Sequence, residues 1–180
     1  MPADADEEAT AQAVSTAVET GTDGIVVPGD LLVEGATLPR RNPSLYNEIA
    51  AMNLAQRLKL ALRGNRDARA LLARDNNKIV RRFVLNNPMI TEEEIINIAR
   101  DKNSTEEVLR VISERGDWTK SYGVRMALAT NPKTPLAIAQ KFLATLLIQD
   151  LARIAKSKDI PQAVVIQARK IVIAHRERGQ

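Results

Sequence analysis

Val124-Arg125-Met126-Ala127-Leu128-Ala129-Thr130-Asn131-Pro132 carries apolar side chains at helical spacing, ends on an alanine, and runs into a polar turn that proline keeps from continuing as helix. Three other stretches end alike: Leu72-Ala73-Arg74-Asp75-Asn76-Asn77, Ile98-Ala99-Arg100-Asp101-Lys102-Asn103 and Ile154-Ala155-Lys156-Ser157-Lys158-Asp159. Their closing alanines lie 26, 30 and 26 residues apart, an interval that holds two short helices and their turns. Near-constant spacing of this kind marks stacked helical repeats, each burying its apolar stripe on its neighbours.

Helix punctuation is dense around these copies. Asn42 caps and Pro43 opens a helix that the leucines at 54, 58 and 62 carry to Gly64. Thr91 with Glu94, and Ser104 with Glu107, fit the capping box, in which hydroxyl and carboxylate each satisfy an orphan backbone N–H. Thr134-Pro135 and Asp159-Ile160-Pro161 are further starts, while Gly116, Asn87-Pro88 and Asn131-Pro132 are stops. The reading is nine helices, at 43–63, 66–74, 77–86, 91–101, 104–115, 118–130, 134–146, 148–157 and 160–176. Most are too short to hold in isolation, so only packing stabilises them.

The whole composition agrees. Apolar residues make up 44% of 180, enough for a real core, whereas aromatics are 3%, which argues against a β-sandwich or barrel. Cysteine is absent, which removes disulfides, thiolate metal sites and a Cys nucleophile together. The acidic start has no signal-like basic and apolar regions, and no run approaches the roughly 18–20 apolar residues of a membrane span, so a cytoplasmic protein is expected.

Charge is segregated along the chain. Residues 1–39 hold eight acidic groups and no Lys or Arg, a charge of −8; the remainder holds all 26 basic and the other 14 acidic residues, a charge of +12. Residues 1–23, with Val14 and Val18 as their sizeable apolar side chains, are expected to be disordered. Within 24–39, Ile25-Val26-Val27 and Leu31-Leu32-Val33 flank Pro28-Gly29, a pair suited to a type II turn. That stretch reads as a small hairpin, an apolar strip anchored on the body, or a motif for a partner. The domain expectation is therefore a disordered acidic tail over 1–41 and a helical-repeat domain over 42–178.

A second echo runs through the body: Val80-Arg81 followed by Asn87-Pro88 returns 44 residues on as Val124-Arg125 followed by Asn131-Pro132. The second copy continues Lys133-Thr134-Pro135, then Ile138 and Leu143. It resembles the leucine-rich-repeat-variant family, whose short two-helix units are related to HEAT repeats. The resemblance covers residues 66–175 and implies a right-handed α-solenoid of short paired helices. The iron–sulfur cluster associated with that family's founding example sits on an added Cys-rich segment, so no cofactor is implied for a chain without cysteine. Helical repeats of this broad kind mostly bind other macromolecules, and HEAT-like alkylpurine DNA glycosylases bind DNA.

Candidate binding residues follow from charge and from the one irregular stretch. Arg63, Arg66, Arg69, Arg74, Lys78, Arg81 and Arg82 fall within twenty residues against Asp67 and Asp75; Arg74, Lys78, Arg81 and Arg82 read as a stripe for carboxylates or phosphates. Asp117-Trp118-Thr119-Lys120-Ser121-Tyr122 follows a Gly stop and holds the only Trp, so Trp118, Lys120, Tyr122 and nearby Arg125 are candidate partner contacts. A Trp filling the wider gap of the 30-residue interval is the structural alternative.

Catalytic groups are not apparent. Glu92-Glu93-Glu94 and Glu106-Glu107 sit in first helical turns, where the helix dipole favours acids; His175 is the single histidine; no phosphate-binding Gly loop or nucleophile–base pair occurs. The expected function is a non-enzymatic scaffold or adaptor whose basic repeat surface binds an acidic partner segment, with DNA or RNA binding through Arg63 to Arg82 as the alternative. The −8 tail can compete for that surface, in which case deleting residues 1–39 tightens binding. The last helix, with Val164, Val165, Ile166, Ala168, Ile171, Val172 and Ile173, is apolar on most sides, and a homodimer through 160–176 is one way to cover it.

Overall fold

Every regular element is helical, in a computed structural model that describes residues 2–35 and 43–178; no strand occurs among the described residues. The chain forms two compact units, Met1–Ile90 and Thr91–Gln180. The first holds α1 (Pro2–Thr20), a 3₁₀ turn (Gly29–Leu32), α2 (Pro43–Ala51), α3 (Leu54–Arg63), α4 (Arg66–Leu72) and α5 (Lys78–Val84). The second holds α6 (Glu92–Arg100), α7 (Glu106–Glu114), α8 (Gly116–Thr119), α9 (Tyr122–Thr130), α10 (Leu136–Leu143), α11 (Ile148–Ile154) and α12 (Gln162–Arg178).

In the first unit α3 is the hub, packed on α1, α4, α5 and the 3₁₀ turn, with Leu58, Leu60, Ala61 and Leu62 buried. In the second, α9 packs on α6, α8 and α10, and α12 on α10 and α11. These contacts bury the helical-period stripes, including Ile95 with Ala99, Leu109 with Ile112, and Val124 with Leu128.

The four-copy motif is a single hydrogen-bonded device. In each copy the residue two beyond the alanine accepts, through its side-chain oxygen, from the backbone N–H two residues further on. The pairs are Asp75 from Asn77 (2.8 Å), Asp101 from Asn103 (2.9 Å), Asn131 from Lys133 (2.8 Å) and Ser157 from Asp159 (3.2 Å). Asp, Asn and Ser serve because a short side-chain oxygen can reach that N–H and turn the chain out of the helix.

The 44-residue echo has its own physical cause. Asn131 Nδ2 donates to the carbonyls of Ala99 (2.7 Å) and Asp101 (3.0 Å), at the exit of α6. Asn87 Nδ2 donates in the same way to Ala61 (3.0 Å) and Gly64 (3.1 Å), at the exit of α3, while its Oδ1 accepts from Met89. Both asparagines are buried. Each satisfies carbonyls that a helix C-terminus leaves without intrahelical partners.

Several boundaries differ from expectation. The helix expected over 43–63 is broken before Asn53, which is extended and forms a reciprocal capping box with Gln56, so the chain restarts as α3. The Thr91–Glu94 box is present, but the start expected at Ser104 lies at Thr105, because the Ser104 hydroxyl instead donates to the Ile98 carbonyl. The helix expected over 118–130 is two, α8 and α9, meeting at Lys120-Ser121. Asn42, and residues 36–39 of the anchoring strip, lie outside the described residues.

The N-terminal segment departs most. Residues 2–20, expected to be disordered, form α1, because Ala11, Ser15 and Val18 recur on one face and are buried in the first unit. Small side chains let two helices approach closely where few large ones exist. Pro28-Gly29 is not a type II turn: Gly29 lacks the positive φ such a turn requires and opens the 3₁₀ turn that buries Leu31.

Candidate interaction surface

α5 places the basic stripe. Ile79, Val80, Phe83 and Val84 face the core, which leaves Lys78 exposed and Arg81 and Arg82 half-buried at positions i, i+3 and i+4. Asn77 caps the helix by accepting from the Ile79 N–H at 2.8 Å, and Arg74 lies exposed in the turn before it. The four residues of the predicted stripe thus belong to one turn-and-helix segment.

The acidic N-terminal helix already touches this stripe. Glu8 pairs with Arg82, and Glu7 Oε2 accepts from Asn77 Nδ2 at 3.0 Å. Further along, Arg63 Nη2 donates to the Val18 carbonyl at 3.4 Å. Asp23 meets Lys59 at 2.5 Å, and the same ammonium donates to the Ile25 carbonyl. The Lys59 hydrogen bond holds the Asp23 carboxyl below its ordinary range.

Other members of the Arg63–Arg82 cluster hold the fold. Arg69 is 1% exposed; it pairs with Glu34 and donates to the Gly64 carbonyl at 3.0 Å. Arg57, just outside the cluster, donates to both oxygens of Asp75 at 2.7 and 2.8 Å. Burying cations requires such partners. Neither pairing is legible in the sequence, since Arg69 lies 35 residues from Glu34 and Arg57 lies 18 from Asp75.

Trp118, Lys120, Tyr122 and Arg125 lie in the second unit, where α8 and α9 meet. Arg115 stacks over the Trp118 ring at 4.4 Å, and Lys120 pairs with exposed Asp117 at 2.8 Å. The pair lowers the Asp117 pKa and raises that of Lys120, each chiefly through their shared hydrogen bond. Arg125 Nη1 donates to the carbonyls of Thr119 (3.0 Å) and Lys120 (2.8 Å), closing the exit of α8. The Tyr122 hydroxyl donates to buried Asp150 and accepts from the Leu147 N–H. Tyr122 and Arg125 are thus tied into the α8–α11 region, whereas the Lys120–Asp117 pair is exposed and Trp118 is half-buried beneath Arg115.

No helix among the described residues is long and apolar enough to cross a membrane. Compared with known proteins, the chain matches no family model, no curated protein and no solved structure.

Proposed function

We propose that the chain is a non-enzymatic interaction module, a cytoplasmic scaffold or adaptor built of HEAT-like helical repeats, whose basic α5 segment binds an acidic segment of a partner protein. One observation carries the reading: the protein's own acidic helix sits on that segment, with Glu8 on Arg82 and Glu7 on Asn77. A surface that selects carboxylates in cis has the charge and spacing to select them in trans. The exit turns support the repeat plan, because all four copies make the same bond. The right-handed solenoid belongs to the same proposal.

Four of the five aromatic rings favour protein over nucleic acid: Phe83 and Phe142 are buried, Trp118 lies under Arg115, and Tyr122 is hydrogen-bonded to Asp150, which leaves Tyr46, 60% exposed, as a single ring open to a base. Charge reversal at Arg74, Lys78 and Arg82 tests the reading. It should abolish capture of a glutamate-rich peptide, and random duplex or single-stranded DNA should not compete at matched charge; capture that survives reversal, or is erased by DNA, rejects it.

One feature favours self-association as well. Ile166 and Ile173, 45% and 55% exposed, lie two turns apart on the same side of α12. A homodimer through this helix would hide them, and Ile173→Asp should then shift the sedimentation coefficient to that of a monomer.

A further inference from the structure

We propose that α1 is a displaceable internal ligand, hinged at Gly21, that yields the α3–α5 face to a partner's acidic helix bearing small side chains on one side. This rests on the reading that the α5 segment binds acidic chains, and adds what kind of chain and what guards it.

The N-terminal segment is held in two unequal ways. Its second half is pinned through its backbone: Lys59 and Gln56 donate to the carbonyls of Ile25 (2.7 Å) and Val26 (2.9 Å), and Asn65 binds the carbonyls of Leu31 (2.7 Å) and Asp30 (2.9 Å). Leu31 is fully buried and Glu34 pairs with buried Arg69. Among its described side chains α1 buries only small or medium ones, Ala11, Ser15 and Val18, and adds the partly exposed Glu8–Arg82 pair and the exposed Glu7–Asn77 bond. Contacts of that kind are weakened by salt and water. α1 is therefore the half that opens first.

Gly21 separates the halves. It has φ +70°, the left-handed conformation that ends a helix, and nothing lies within 4 Å of where a side chain would begin, so no packing at that link joins α1 to the pinned half. What α1 presents defines what can replace it: carboxylates one turn before a small-residue stripe at i, i+4 and i+7. A tethered helix has a high local concentration, so the replacement must outcompete it.

The test uses the full chain. Ala11→Glu with Val18→Asp places charges on the buried stripe and should expel α1. A fluorescein-labelled peptide of residues 2–20 should then bind by anisotropy at least about tenfold more tightly than it binds wild type. A second arm replaces Glu7 and Asn77 by cysteine, the only thiols in the protein, and bridges them with a short bis-maleimide; bridging should abolish binding that the unbridged variant retains. Equal affinity for wild type and the double variant overturns the displaceable helix and leaves the acidic-segment reading standing. No binding to any form overturns both. Where the double variant does not fold, the bridged arm decides, and binding undiminished by the bridge overturns the proposal. A glutamate homopolymer that binds as well as the peptide overturns the requirement for a small-faced helix.

Discussion

The side-chain amide of Asn131 donates to the carbonyls of Ala99 and Asp101 while accepting from the N–H of Lys133. Alanine at this position takes the Asn131 amide away from the buried Ala99 carbonyl and the turn N–H, while the Asp101 carbonyl keeps the Ser104 N–H at 3.0 Å, so Asn131→Ala should lower unfolding free energy by roughly 1–3 kcal/mol in urea titrations. Asn131→Asp should cost at least as much, because a carboxylate cannot donate and faces two carbonyl oxygens. Gly64 is demanding for another reason: a Cβ there would run into the Leu60 carbonyl oxygen, which is backbone and cannot turn aside. Gly64→Ala should cost about 1–3 kcal/mol in the same assay. Lys120→Ala, by contrast, removes an exposed ion pair and should leave the urea midpoint unchanged. A lowered midpoint would show that Lys120 supports the α8 exit through more than its charge.

At the scale of elements, the strap that follows α1 depends on a carboxylate. The folded state holds the Asp23 pKa below its ordinary 3.8, so the Lys59–Asp23 tie contributes stability above that value and loses it as pH falls through the folded pKa. Hydrogen exchange at the Ile25 amide, which donates to Asp23 Oδ1 at 3.2 Å, should stay protected at neutral pH and lose that protection only as the pH falls below 3.8. α1 is stabilised instead by its docked face. Val18→Asp should undock it, and most of the circular-dichroism signal of its nineteen residues should disappear, since a helix of that length is marginal in water. Apolar periodicity made the helices of the body legible, and their proline and glycine stops placed most ends within a turn. It did not reveal α1, because a stripe of Ala11, Ser15 and Val18 has little hydrophobic contrast with its surroundings. Nor did it reveal the break at Asn53, whose cap competes with an otherwise continuous leucine pattern.

For the molecule as a whole, the −8 and +12 segregation is realised as contact: acidic residues at 7, 8, 23 and 34 each meet a polar or basic group of α3, α4 or α5 in the first unit. Raised salt should therefore speed hydrogen exchange across α1 well before it affects the buried Arg69–Glu34 region, and simultaneous loosening of both would contradict their unequal anchoring. The charge imbalance was plain from composition; the identity of the contacts was not, because each pair spans more than thirty residues. In the tryptophan stretch the irregular sequence did not reveal that Arg125 closes the α8 exit or that Tyr122 reaches Asp150, because both bonds depend on where the helices meet.

The bond that closes each helix exit joins residues only two apart, so each exit is folded by its own local sequence. An Asp, Asn or Ser oxygen therefore serves the turn itself, whereas the second duties of Asn131 towards the α6 exit and of Asp75 towards Arg57 tie those two copies to their own places in the chain.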